Sequence, residues 1–208
     1  MASEGNDEDD LRLWNAAVEG NLAECQMALN RGCRIDRPGI RQSTPLYPAC
    51  QHGHLNVVEL LLENKCDLDK ALDDGGTPLF TASYHGHVTI VQLLLQNKCD
   101  LDKARDDGRT PLNAACYNGH VGIVQLLLEN KCDLDKARGD GDTPLYTACD
   151  QGHVGIVQLL LENNCDLDKA MDDGRTPLFT SCDQGHHGIV TLLLEHGCDV
   201  HKASNIGQ

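Results

Sequence analysis

The feature that most constrains this chain is a repeat of 33 residues that holds its register without slippage. Thr-Pro-Leu begins at Thr44, Thr77, Thr110, Thr143 and Thr176, and Gly-His begins at Gly53, Gly86, Gly119, Gly152 and Gly185. Cysteine followed by aspartate recurs at Cys66, Cys99, Cys132, Cys165 and Cys198. The same frame extends back through Ala16, Gly20 and Cys33, where Leu11-Arg12-Leu13-Trp14 stands in place of Thr-Pro-Leu. That segment reads as a degenerate first repeat whose helix Asp9 or Asp10 would cap. Residues 121–130 and 154–163 are both VGIVQLLLEN. A single globular core does not need such translation; a stack does.

Residues 108–140 show what one unit must be. Thr110-Pro111 is a helix start, because the hydroxyl accepts from an orphan N–H and proline loses nothing at the first helical position. Leu112, Ala115 and Cys116 then form one apolar stripe on a short helix. Gly119 ends it, and a second helix is expected from about His120 to Asn130, apolar almost all round. Lys131 to Arg138 lacks a helical period, and Gly139-Asp140-Gly141 is a turn. A helix pair this short buries too little surface to stand alone, so each unit must cover the next. The expected object is an elongated stack of helix pairs with loops along one edge.

A 33-residue unit with Thr-Pro-Leu, Ala-Cys or Ala-Ser, Gly-His, a Val/Ile-Val-x-Leu-Leu-Leu run and Cys-Asp-Leu-Asp resembles the ankyrin repeat family. The resemblance covers residues 11–208, in units of about 11–41, 42–74, 75–107, 108–140, 141–173 and 174–206. It implies an all-α solenoid of stacked antiparallel helix pairs with projecting hairpin-like fingers. It also implies that protein partners bind the concave groove made by fingers and first helices. Two departures stand out. The histidine usual after Thr-Pro-Leu is Tyr47, Phe80, Asn113, Tyr146 or Phe179, so the family's finger-base hydrogen bonds are expected to change. Asp69, Asp102, Asp135 and Asp168 replace the usual asparagine.

Charge and cysteine content bound the function. The net charge is −15, and the first ten residues carry five carboxylates and no base. A chain so acidic repels phosphate backbones, which disfavours nucleic-acid binding. Every leucine-rich run is cut by Glu, Gln or Asn, so membrane insertion is not expected. Residues 1–10 are expected to be a disordered acidic leader, with no apolar stretch of an export signal. Eleven cysteines without such a signal point to a reducing, intracellular and cytoplasmic setting. No polar closing repeat follows His196-Gly197, which predicts either a fragment of a longer protein or an oligomer contact over the last helices.

No set of residues reads as catalytic. His54, His87, His120, His153 and His186 form a periodic ladder, but helices stacked about 8–10 Å apart hold their ligands too far apart to share one zinc. Cysteines fill one column after the second helix (Cys33, Cys66, Cys99, Cys132, Cys165, Cys198) and another in the first helix (Cys50, Cys116, Cys149, Cys182). Small buried packing residues are the simplest reading of both. The aspartates and the row Lys70, Lys103, Lys136 and Lys169 read as solvated finger residues. The chain is therefore expected to be no enzyme, with no cofactor, no bound metal and no small-molecule substrate.

Because shared columns must serve stacking, columns that differ between units are the candidates for recognition. Leu72, Arg105, Arg138 and Met171 occupy one; Ser43, Gly76, Arg109, Asp142 and Arg175 another. The first helix ends with Gln51-His52, Tyr84-His85, Tyr117-Asn118, Asp150-Gln151 or Asp183-Gln184. Trp14, Tyr47, Phe80, Tyr146 and Phe179 share a column expected to pack between fingers, whereas Tyr84 and Tyr117 suit an interface. The candidate partner-binding residues are Tyr84, His85, Arg105, Arg109, Tyr117, Asn118, Arg138, Asp142, Asp150, Met171 and Arg175. By the resemblance they face the groove, where the arginines would meet carboxylates of a partner segment. The competing reading pairs those arginines with Asp106, Asp107 and Asp140. The function expected is a scaffold or adaptor that binds a protein or peptide. A regulatory or targeting domain of a larger protein is the alternative, and a thiol-redox or metal sensor a third.

Overall fold

The computed structural model describes residues 5–202. It contains twelve α-helices and no strand among those residues. In chain order they are α1 (Gly5–Glu19), α2 (Leu22–Asn30), α3 (Leu46–His52), α4 (Leu55–Glu63), α5 (Pro78–His85), α6 (Val88–Gln96), α7 (Pro111–Tyr117), α8 (Val121–Glu129), α9 (Pro144–Asp150), α10 (Val154–Glu162), α11 (Pro177–Asp183) and α12 (His187–Glu195). They fall into two compact units, Met1–Asp106 and Asp107–Gln208. In the first, α1/α2, α3/α4 and α5/α6 pair within repeats, while α1, α3 and α5 stack across repeats. In the second, α7/α8, α9/α10 and α11/α12 pair, and α7, α9 and α11 stack.

The Thr-Pro start works as the sequence predicts. Thr77, Thr110, Thr143 and Thr176 each accept at Oγ1 from the N–H three residues on, at 3.1–3.2 Å. Thr44 is the exception, its buried hydroxyl having no hydrogen-bond partner. First helices approach closely because their inner positions are small: Ala49, Cys50, Ala82, Ser83, Ala115, Cys116, Ala148 and Cys149 are fully buried. Leu46, Leu79, Leu112 and Leu145 fill the core beside them.

The Gly-His pair is the inter-repeat fastener. The Nε2 of His87 lies 3.1 Å from the Gln51 carbonyl oxygen of the preceding repeat, and His54 reaches Val18 at 3.0 Å in the same way. In the second unit His153 meets the Tyr117 carbonyl and His186 that of Asp150, each at 3.2 Å. The imidazole lies against the glycine of the repeat before, so a Cβ on Gly53 would fall 2.6 Å from the His87 ring. Glycine is needed there twice over, since its φ is +77°.

A second ladder runs through the loops. Asp36 and Asp69 accept from the N–H groups of Asp67 and Asp100, each at 2.9 Å. Asp135 and Asp168 do the same for Asp166 and Asp199, at 2.9 and 2.8 Å. Asp69, Asp135 and Asp168, which replace the family's asparagine, therefore each accept a backbone hydrogen bond from the following repeat.

The amino-terminal acidic segment departs from expectation. Residues 1–4 lie outside the described residues, but α1 begins at Gly5, so part of the expected disordered leader is helix. Asp10 is buried inside it rather than capping it, and accepts from the Arg34 Nε at 2.8 Å. Asp7 pairs with Arg34 and Arg37. The next loop thus supplies the countercharge that holds these carboxylates on a helix.

Candidate functional site

The columns that vary between repeats lie at the ends of the first helices and along the fingers. In the first unit, α5 ends in Tyr84 and His85, whose rings meet edge to face at 5.1 Å. Tyr84, 37% exposed, stacks at 6.4 Å on the buried ring of Phe80. The Arg105 guanidinium lies 5.2 Å over the Phe80 ring and donates from Nη2 to Asp74 at 2.9 Å. Asp74 also takes Arg41 Nη2 at 2.8 Å. Burial alone would raise the Asp74 carboxyl, but the Gly76 N–H, Arg105 and Arg41 together hold it below the usual range. Arg105 keeps a buried Nε without a hydrogen-bond partner.

In the second unit, Tyr117 stands 49% exposed at the end of α7, and Asn118 caps that helix by donating from Nδ2 to the Ala114 carbonyl at 3.0 Å. Arg109 lies 3.6 Å from Asp107. Arg138 donates to Asp142 at 2.9 Å and lies 3.4 Å from Asp140. Asp142 is buried, and its other oxygen accepts from the Thr147 hydroxyl at 2.8 Å. Burial pushes its carboxyl up, and the bonds from Thr147 and Arg138 oppose that rise. Asp150 accepts from Thr180 at 3.0 Å and Gln151 at 2.9 Å. Met171 is half-buried in its finger, and the Arg175 guanidinium lies 5.9 Å over Tyr146 while its Nε donates to Asp173 at 2.7 Å.

Each arginine named from sequence is therefore engaged by a carboxylate of its own unit. Arg109 and Arg138 take the partners that the competing reading gave them, but Arg105 reaches back one repeat to Asp74 instead of Asp106 or Asp107. Asp142 and Asp150 are committed to internal hydrogen bonds. Tyr84 and Tyr117 keep an open face. The aromatic column at the finger bases does a job that sequence did not reveal: Phe80 and Tyr146 carry the arginine of the following finger. Asn113 instead closes a capping box, its Oδ1 accepting from the Thr110 N–H at 3.0 Å.

Sequence reasoning missed a slot in the first unit. Trp14 and Val18 of α1, Ile40 and Arg41 of the first finger, Tyr47, Pro48 and His52 of α3, and Leu72 of the second finger enclose about 240 Å³. The Trp14 indole donates to the Ser43 carbonyl at 3.0 Å. Aligning the first finger with the others would have shown the signal, since Ile40-Arg41 occupies the place of Asp73-Asp74.

The cysteines occupy packing positions. All eleven are free thiols, nine of them buried. Burial pushes Cys25 and Cys33 up to about 11 and Cys66, Cys99, Cys149 and Cys165 up to about 12. Cys25 belongs to neither column read from sequence; it sits buried on α2. Cys182 departs from the expected burial and is exposed on α11. Among the described residues no group of three or more His, Cys, Asp or Glu is placed to hold a metal ion. No helix among them is long and apolar enough to cross a membrane.

The sequence model of the family described as "Ankyrin repeats (3 copies)" matches at residues 4–72, 64–138 and 130–204. Among solved structures, that of the human ASB11 ankyrin repeat domain superposes with a TM-score of 0.79 at 28% identity. The match covers 90% of this chain and 84% of that one. No curated protein sequence matches the chain. The helix pairs, the fingers and a family match that spans almost every residue lead to one assignment: the chain belongs to the ankyrin repeat family.

Proposed function

We propose that the chain is a non-enzymatic scaffold or adaptor whose first-helix and finger face, the concave groove of the family, receives a segment of a partner protein. Ankyrin repeats generally mediate protein–protein interactions, and the finer reading rests on one observation. Helices α5 and α7 are buried from Pro78 to Ser83 and from Pro111 to Cys116, yet Tyr84 and Tyr117 follow exposed at 37% and 49%. Stacking gives no reason for two large aromatic side chains at those places, whereas rigid aromatics are common interface anchors. His85 in the first unit, and Arg109 and Met171 in the second, lie on the other variable columns and add to the contact surface of their own unit. Arg105, Arg138, Arg175, Asn118, Asp142 and Asp150 hold that surface in shape through the bonds described above.

A thiol sensor is the weaker reading, because buried thiols held at about 11 to 12 supply little thiolate at neutral pH. We propose a reducing, cytoplasmic setting, in which eleven cysteines can remain thiols. The test compares the intact chain with a Tyr84→Ala/Arg109→Ala/Tyr117→Ala variant in affinity capture followed by titration of each captured protein. Loss of two hot-spot tyrosines should weaken binding by about thirty-fold or more. A natively folded variant that captures the same proteins with unchanged affinity refutes the reading.

A further inference from the structure

The first finger breaks the pattern of the array at the mouth of the slot in the first unit. It closes as the next one does: the Gly39 N–H donates to the Ser43 carbonyl at 2.8 Å, and Leu72 to Gly76 at 2.9 Å. Ile40-Arg41-Gln42 therefore fills the turn that elsewhere reads Asp73-Asp74-Gly75, Asp106-Asp107-Gly108, Gly139-Asp140-Gly141 or Asp172-Asp173-Gly174. Three changes coincide. An acid becomes an isoleucine that stands 70% exposed. A second acid becomes Arg41, 61% exposed. The glycine becomes Gln42, so both Arg41 and Gln42 sit at left-handed φ, 56° and 61°. Left-handed backbone is unfavourable for such residues; Lys65, Lys98, Lys131 and Asn164 also adopt it, but after a second helix, and among the described residues no other finger turn places it on a residue other than glycine.

We propose that this slot binds a partner peptide that presents a large apolar side chain next to a carboxylate. The apolar side chain enters between Trp14, Tyr47 and Leu72, under Ile40, and the carboxylate meets Arg41. This rests on the reading of the chain as a peptide-binding module and says which peptide. The volume, about 240 Å³, is below that of an ordinary small-molecule pocket and suits one or two side chains. None of the ten residues lining it is a carboxylate, on a molecule of net charge −15. Arg41 and Arg105 both pair with Asp74, so two guanidinium groups meet one carboxylate beside the slot. Charge complementarity therefore favours an acidic partner here and nowhere along the other finger turns, each of which carries at least one aspartate.

The probe is a phage-displayed library of random twelve-residue peptides, selected on the full 208-residue chain. Enriched sequences should place Phe, Trp, Leu or Met within two positions of Asp or Glu. Synthetic copies should perturb the fluorescence of Trp14, the only tryptophan in the chain. Ile40→Asp and Arg41→Asp install the residues that other fingers already carry, so folding is expected to persist and is checked by circular dichroism. Each should weaken the selected peptides at least ten-fold. No enrichment, enrichment without an acid, or affinity unchanged in both variants overturns the inference. Peptides that respond instead to Tyr84→Ala or Tyr117→Ala remove the slot while the broader interaction reading stands. Self-association in light scattering that Ile40→Asp abolishes would make a second copy the occupant, and that also overturns it.

Discussion

Replacing Gly53 with alanine tests how one repeat is fastened to the next. Two effects act at this position. Gly53 has φ +77°, and forcing a Cβ into left-handed backbone costs about 1–2 kcal/mol. The new methyl would also lie 2.6 Å from Cε1 of His87, whose ring is held by its 3.1 Å bond to the Gln51 carbonyl oxygen. The ring must move off, and losing that bond costs about 1 kcal/mol more. Gly53→Ala should therefore destabilise by about 2–3 kcal/mol. Gly185 supplies the control. It has the same Gly-His context and a φ of +73°, yet nothing lies within 4 Å of where its Cβ would be. Gly185→Ala should show only the backbone effect, about 1–2 kcal/mol. The His87→Ala variant loses the bond without the clash, about 1 kcal/mol plus some packing. The double variant Gly53→Ala/His87→Ala should then be less destabilised than the sum of the singles by about 1 kcal/mol, because the bond can be lost only once. Urea unfolding followed by circular dichroism, fitted with nearest-neighbour coupling as suits a repeat array, gives all four values. Equal effects of Gly53→Ala and Gly185→Ala, or strict additivity in the cycle, would refute the fastener.

Three further outcomes follow from the same structure. Asp74 titrates below the usual carboxylate range in the folded chain, so the stability it confers is complete above about pH 4, the ordinary aspartate value, and is lost as pH falls through its lowered value. Asp74→Asn should flatten that acid limb of the stability curve, and an unchanged limb would mean the two guanidinium contacts are absent in solution. Gln42→Gly should stabilise the chain by about 0.5–1 kcal/mol, as relief of left-handed strain exceeds the added freedom of the unfolded state; a melt at or below that of the parent contradicts it. In native buffer a thiol reagent should modify Cys182 first, with the buried thiols following only on unfolding; mass mapping that finds Cys50, Cys116 or Cys149 labelled as fast would contradict the packing seen here.

The array itself was legible because translation forces the same solution at every step. Thr-Pro starts, the small buried column and the glycine before each histidine recur because each repeat must meet an identical neighbour. What escaped the sequence was which partner each polar group chooses. Arg105 and Arg138 look equivalent in register, yet one reaches back 31 residues to Asp74 and the other pairs within its own finger with Asp142. Side-chain length allows both, and the choice turns on Arg109 standing, in the finger of Arg105, where Asp142 stands in the later repeat. The acidic start misled for a related reason: five carboxylates without a base look solvated, but folding brings Arg34 and Arg37 beside Asp7 and Asp10.

The same logic explains why the slot beside Trp14 was passed over. Comparing only the units that carry Thr-Pro-Leu treats the first repeat as decayed, so its differences count as noise. Yet a first repeat has a neighbour on one side only among the described residues, and its finger is freed from half the constraint that fixes the others. Residues there can change character without harming the stack, as Ile40-Arg41-Gln42 has done at the cost of left-handed strain in two non-glycine residues. Tolerance alone would let that turn drift toward polar residues and keep its glycine. An exposed isoleucine, an arginine and a strained glutamine beside the slot fit the peptide site proposed there, and loss of the strain without loss of binding in Gln42→Gly would separate the backbone from the recognition proposed for it.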